Sequence, residues 1–164
     1  MKWMLKLAVA GIMCGSVSKA SAAEWWIVLQ RDGAGNVHFG DSSQIVAQGS
    51  TLTFWSHLFY KVPVGKMKSA RIQYEVDCAR FSLRERRYLD FDASRQVIDS
   101  GDNTAVDGWK EVAPQTSGAA YVAFGCATPA QRKASHLSLD EKADMFDVAD
   151  FFLDPSPIVE SPVK

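Results

Sequence analysis

The stretch RIQYEVDC, Arg71 to Cys78, limits the possible folds more than any other segment of the chain. Ile72, Tyr74, Val76 and Cys78 fall on one side of a period-two pattern, and Arg71, Gln73, Glu75 and Asp77 on the other. Only an extended strand repeats every second residue, so this is a strand with one face against a core. The same pattern points Cys78 inward with the apolar residues. A strand needs neighbours for its backbone hydrogen bonds, and the flanking segments have the composition to supply them.

Glu24–Gln30 (EWWIVLQ) is rich in aromatic and β-branched residues and reads as a first strand, with Trp25 and Trp26 on opposite faces. Arg31–Gly35 (RDGAG) carries a turn signal, and Val37–Val46 a short strand followed by a turn at GDSSQIV. Thr51–Tyr60 has apolar residues on both faces, which predicts a central strand covered on each side. Lys61–Lys68, with Pro63 and Gly65, reads as a loop. Leu83–Asp92 is a further strand, with Leu83, Leu89 and Phe91 expected on one face and Arg84, Arg86 and Tyr88 on the other. Gln96–Ser100 reads as its hairpin return, followed by an open GDNTAVDG loop.

Beyond Pro114 the pattern turns helical. Thr116 or Ser117 can cap a helix through GAAYVAFGCA, and Pro129–Ser138 reads as a linker. Ser138-Leu139-Asp140-Glu141 matches a capping box. Leu139, Ala143, Phe146, Ala149 and Leu153 then fall at helical spacing, with Asp140, Asp144, Asp147 and Asp154 on another flank. Pro155 ends that helix, and residues 155–164 are expected to form a disordered tail.

The first residues limit where such a protein works. Lys2 and Lys6 precede an apolar run, Leu7 to Val17, and Ala20-Ser21-Ala22 offers a small-x-small cleavage site. The run is shorter than the ~20 residues a membrane span needs, so residues 1–22 are expected to be a signal peptide. A lipid-modified Cys14 is the rival reading, but a lipobox wants a small residue where Met13 stands. Cleavage would leave one domain of 142 residues with no second long apolar run.

That domain carries 15 basic and 19 acidic residues, a formal charge of −4, which by itself does not imply a nucleic-acid or anionic-membrane partner. The charge is unevenly spread. Lys61–Arg87 has eight basic residues against three acidic, and Asp140–Lys164 has seven acidic against two basic. Cys78 and Cys126 remain, and in an oxidising compartment they most simply form one disulfide, two separate buried thiols being the alternative.

Motifs for catalysis, cofactors or metals are missing from the sequence. His38, His57 and His136 lack partners at ligand spacing, and there is no GxSxG, HExxH, phosphate loop or CxxC. DFDASRQVIDSG resembles a calcium loop, but its sixth residue is Arg95 where an EF-hand needs glycine. Asp90 and Asp92 read better as turn residues at a strand end. A non-enzymatic protein with no cofactor and no metal is expected.

One ordered set of segments resembles a known family. VHFGDSSQI, YEVDCA, RERRYLDFD, a lone Trp109 leading to Pro114, and a helix closing on FGCA follow one another as in the surface-adhesin protein E family. The resemblance covers Trp25 to Ala127 and rests on the spacing of Tyr74, Cys78, Trp109 and Cys126. It implies an α+β fold: an antiparallel sheet of five or six strands with a C-terminal helix held by Cys78–Cys126. The acidic amphipathic helix would be an addition beyond residues 23–128.

The resemblance also implies a binding role, since the named adhesin attaches to host epithelium and extracellular matrix. Its binding segment is similar to Lys66–Leu89, so Lys66, Lys68, Arg71, Arg80, Arg84, Arg86 and Arg87 would be the contacts for matrix or another acidic macromolecule. That adhesin is lipid-anchored. With Met13 before Cys14, the expected location is the periplasm first and the outer surface second. The alternative function is a structural envelope protein whose acidic helix covers the basic face.

Overall fold

The computed structural model describes residues 23–103 and 108–154; the expected signal peptide and C-terminal tail lie outside them. Six long strands follow in order: β1 (Trp25–Leu29), β2 (Val37–Gln48), β3 (Thr51–Val64), β4 (Met67–Asp77), β5 (Ser82–Phe91) and β6 (Val97–Asp102). After them come β7 (Lys110–Glu111), α1 (Ser117–Cys126), α2 (Pro129–Ser135), β8 (Leu137–Ser138) and α3 (Met145–Leu153). The strands make one antiparallel sheet in the order β6-β5-β4-β3-β2-β1-β8, with β7 beside β5. The fold is α+β, as expected. The strand count is eight rather than five or six, because two-residue pairings add β7, just after the GDNTAVDG stretch and Trp109, and β8, within the segment read as a linker.

β3 sits mid-sheet, with Phe54 buried on one face and Phe59 on the other, as the two-faced pattern predicted, while Trp55 is only partly buried. On one side Phe54, Ile72, Tyr74 and Val76 pack with Tyr121, Val122 and Phe124 of α1. On the other, Ile27, Val37, Phe39 and Phe59 pack with Met145, Ala149 and Leu153 of α3. The result is a three-layer arrangement in which each helix stripe closes one sheet face. Very close approach is needed on the α1 side. A Cβ on Gly40 would lie 2.4 Å from the Phe124 ring, and one on Gly125 would lie 2.9 Å from Phe54.

Thr116 caps α1, its side chain accepting from the Ala119 amide at 3.2 Å. The disulfide joins Cys78 to Cys126, the last residue of α1, with Cα atoms 5.7 Å apart. Contrary to the inward position that the alternation suggested, Cys78 does not face the core. β4 ends at Asp77, whose Oδ1 accepts from the amides of Ala79 and Arg80, and this turn leaves Cys78 exposed at the sheet rim. The bridge therefore staples a turn to a helix end.

Other expectations moved for local reasons. The Asp41–Val46 stretch is an irregularity inside a 12-residue β2, not a turn after a short strand. The expected 61–68 loop is mostly strand, because β3 and β4 continue to a tight turn at Gly65, where φ is +62°. The expected linker is α2 and β8, and the capping box belongs to Thr128 and Gln131 at the start of α2. Ser138 pairs with Trp26 as part of β8, and α3 starts later, capped by Asp144.

In β5 the face assignment shifts midway. Gln73 faces Arg87 whereas Tyr74 faces Glu85, so Arg86 is an extra residue in a bulge. Beyond it Tyr88 packs toward the α1 side, while Leu89 and Phe91 share the other side with Arg84.

Candidate binding face

The sheet face under α3 can be followed row by row across the strands. One row runs Val37, Phe59, Ser69, Phe91, and the next Phe39, His57, Arg71, Leu89. A third runs Trp25, Asp41, Trp55, Gln73, Arg87, Asp102, and a fourth Thr53, Glu75, Arg84. The first two are largely apolar, and α3 lies on them, with Phe146 edge-on to Phe59 and His57 at centroid distances of 5.0 and 5.4 Å. The last two are polar and aromatic and extend beyond the helix. One strand face thus has an apolar, covered half and a charged, uncovered half.

Arg71 stands at the boundary. Its guanidinium lies between the rings of Trp25 and Trp55, 5.2 and 5.1 Å from their centroids, and its Nη2 is 3.9 Å from Asp41 Oδ2. Asp41 is fully buried, and its Oδ1 accepts from the amides of Glu24 and Ser43 and from the Ser43 hydroxyl. Burial lowers the Arg71 pKa, and the Asp41 charge opposes that shift.

Glu75 organises the fourth row. Arg84 donates to Glu75 Oε2 through Nε and approaches it through Nη2, both at 2.9 Å; Arg86 Nε is 3.5 Å away and Thr51 donates to Oε1. Burial raises the Glu75 carboxyl, but the hydrogen bonds from Arg84 and Thr51 and the Arg84 and Arg86 charges outweigh it, leaving it below its ordinary value. Arg84 also stacks over Trp109 at 4.6 Å. Arg87 pairs with Asp102 at 3.3 Å, with both side chains about half exposed.

The seven predicted contact residues therefore separate. Arg71, Arg84, Arg86 and Arg87 share the uncovered half-face. Arg80 lies at the neighbouring turn, 79 % exposed and 3.6 Å from Asp77. Lys68 lies at the far end of β4 and Lys66 in the turn before it, roughly 23 and 30 Å from Arg84 at strand spacing. Trp25, Trp55 and Trp109, which by composition read more readily as core than as a ligand-stacking surface, turn a basic strip into alternating arginine and indole. The Trp25-Trp26 doublet held part of that signal: Trp26 is buried on the α1 side and Trp25 lies on the arginine side.

The acidic helix lies on this same sheet face. Its Asp144 and Asp147 pair with Arg95, at 2.8 and 3.2 Å, in the turn between β5 and β6. Arg95 also lies over the Phe146 ring at 4.3 Å. Among the described residues, no cluster of three His, Cys, Asp or Glu side chains is placed to hold a metal ion, and no helix is long and apolar enough to cross a membrane.

Neither a curated protein nor a solved structure matches the chain. Residues 26–127, which run from β1 to the residue after α1, match the family model for surface-adhesin protein E. With most of its length covered by that match, the chain belongs to the surface-adhesin protein E family.

Proposed function

We propose that this protein is a non-catalytic binding module that holds an acidic macromolecule, extracellular matrix or another envelope partner, against the uncovered half-face of its sheet. The observation that carries the reading is the run of Arg71, Arg84, Arg86 and Arg87 interleaved with Trp25, Trp55 and Trp109. Arginine and tryptophan are the residues on which protein interfaces concentrate their energy. Family membership supports the same class of role. Export to the periplasm, with the outer surface second, is part of the proposal.

The test is binding of residues 23–164 to heparin and to matrix proteins over a salt series, beside an Arg86→Ala/Arg87→Ala variant. Binding that weakens with salt and falls by about tenfold or more in the variant supports the reading. Silence from both proteins overturns it. Silence is what the second reading predicts, a structural envelope protein whose acidic helix α3 lies on the neighbouring half of the same sheet face. Its support is the grip of Asp144 and Asp147 on Arg95.

A further inference from the structure

A different part of the molecule carries a second, independent surface. β2 reaches only as far as Val37 opposite Phe59, and β5 ends at Phe91 opposite Ser69. Residues 60–68 therefore extend past their neighbours as a two-stranded ribbon, closed at Gly65 and paired at Val64–Met67. Val62 and Val64 are 75 % and 57 % exposed on it. The ribbon holds Lys61, Lys66 and Lys68, and no acidic residue occurs anywhere between Ser42 and Tyr74.

The end of α3 is tied beside the ribbon. Lys61 Nζ donates to the Leu153 carbonyl, its amide donates to Asn36 Oδ1, and Arg31 donates twice to the Phe152 carbonyl. This brings Phe151, 58 % exposed, to the same end of the molecule. Proline and lysine on a strand serve in general to discourage pairing, but that purpose does not call for exposed valines and an exposed phenylalanine.

We infer that this end of the molecule docks on an anionic lipid surface, the ribbon tip pressing its valines into the headgroup region while the lysines meet lipid phosphates. Three features favour a bilayer over a folded partner. The tip projects past the strands on either side of it, and residues 61–68 hold no aromatic or arginine anchor of the kind protein interfaces use. Lys66, exposed at the tip, is a flexible point charge suited to a diffuse field, whereas the arginines of the sheet face are fixed by carboxylates and indoles. A lysine stem can also lie along apolar surface while its head stays in the polar layer. Lys61 Nζ is held by the Leu153 carbonyl and Lys68 shares a shallow depression with Asp92 and Asp150, so exposed Lys66 at the tip carries most of the attraction.

Residues 23–164 contain both packed clusters and are the form to use. The experiment is co-sedimentation with phosphatidylcholine vesicles and with phosphatidylcholine–phosphatidylglycerol vesicles. Binding to the anionic vesicles alone is expected, weakened about tenfold by Lys66→Glu, which leaves the Lys61 tie to α3 in place. Val62→Ser/Val64→Ser should weaken it severalfold, and Arg86→Ala/Arg87→Ala should leave it unchanged, with circular dichroism reporting the fold of each variant. Absence of vesicle binding, equal binding to neutral vesicles, or indifference to the tip substitutions overturns the inference. So does heparin binding that depends on the tip without vesicle binding, which would assign the tip to a polyanion. Because the sheet-face variant is read separately, failure here leaves the matrix-binding proposal standing, and the reverse.

Discussion

Buried against Phe59 and Phe91, with Phe146 and Trp25 at its edges, His57 has little room for a charge. Burial, with the Arg71 charge adding to it, takes its pKa down to about 3. In the unfolded chain it would titrate near 6.5. Between those values the unfolded state binds the extra proton, so stability rises with pH across this window and falls on acidification. Urea unfolding from pH 7 to pH 4.5 should show this slope. His57→Gln should flatten it by about one proton, or about 1.4 kcal/mol per pH unit. His38 and His136, whose pKa values are also lowered by burial, contribute in the same direction and remain in both proteins.

Gly40 is a second site where one atom decides. The ring of fully buried Phe124 occupies the place of a side chain, so Gly40→Ala should cost about 2 kcal/mol or more in urea unfolding. Gly33→Ala, at a turn where an added Cβ meets nothing within 4 Å, should change little.

At the scale of elements, the two helices are held by different means. α1 is tied covalently at its last residue and buries Tyr121, Val122 and Phe124. Replacing both cysteines by serine should lower the urea midpoint, with a ceiling of roughly 4 kcal/mol for a loop closed across 48 residues. α3 depends on its apolar stripe, on Arg95 at its start and on Arg31 and Lys61 at its last carbonyls. Ala149 is fully buried there, so Ala149→Asp would bring an unpaired carboxylate against Phe39 and Phe59. The expected cost is roughly 3 kcal/mol or more, visible as lost cooperativity and new binding of a hydrophobic dye. Deleting α3 would bare the same cluster, making truncation an unsuitable way to uncover the arginines.

Seen whole, the molecule shows which of its features a single sequence can carry. The alternation in Arg71–Asp77 and the two-faced apolar pattern of Thr51–Tyr60 were legible because burial on a strand leaves a local period of two. The bulge at Arg86 left no such mark. It depends on β4 opposite, and it reverses which later residues share a side with Arg84. Two capping-box patterns were present, at Thr128 and at Ser138, and local chemistry does not rank them. The β1 edge selected between them, because Ser138 pairs with Trp26 and the Leu139 amide donates to the Trp25 carbonyl. The basic strip was legible as composition. Its carboxylate partners come from β4, β2 and β6, and its indoles from β1, β3 and the segment before β7.

That self-pairing sets the form of any recognition at this face. Glu75 and Asp102 already occupy the positions an incoming carboxylate would want, so an acidic ligand must exchange with them rather than fill empty sites. Exchange conserves ion pairs and releases few bound counterions. The logarithm of affinity should consequently fall with the logarithm of salt by a slope well below the number of arginines touched, while neutral replacement of Asp102 should steepen that slope and tighten binding.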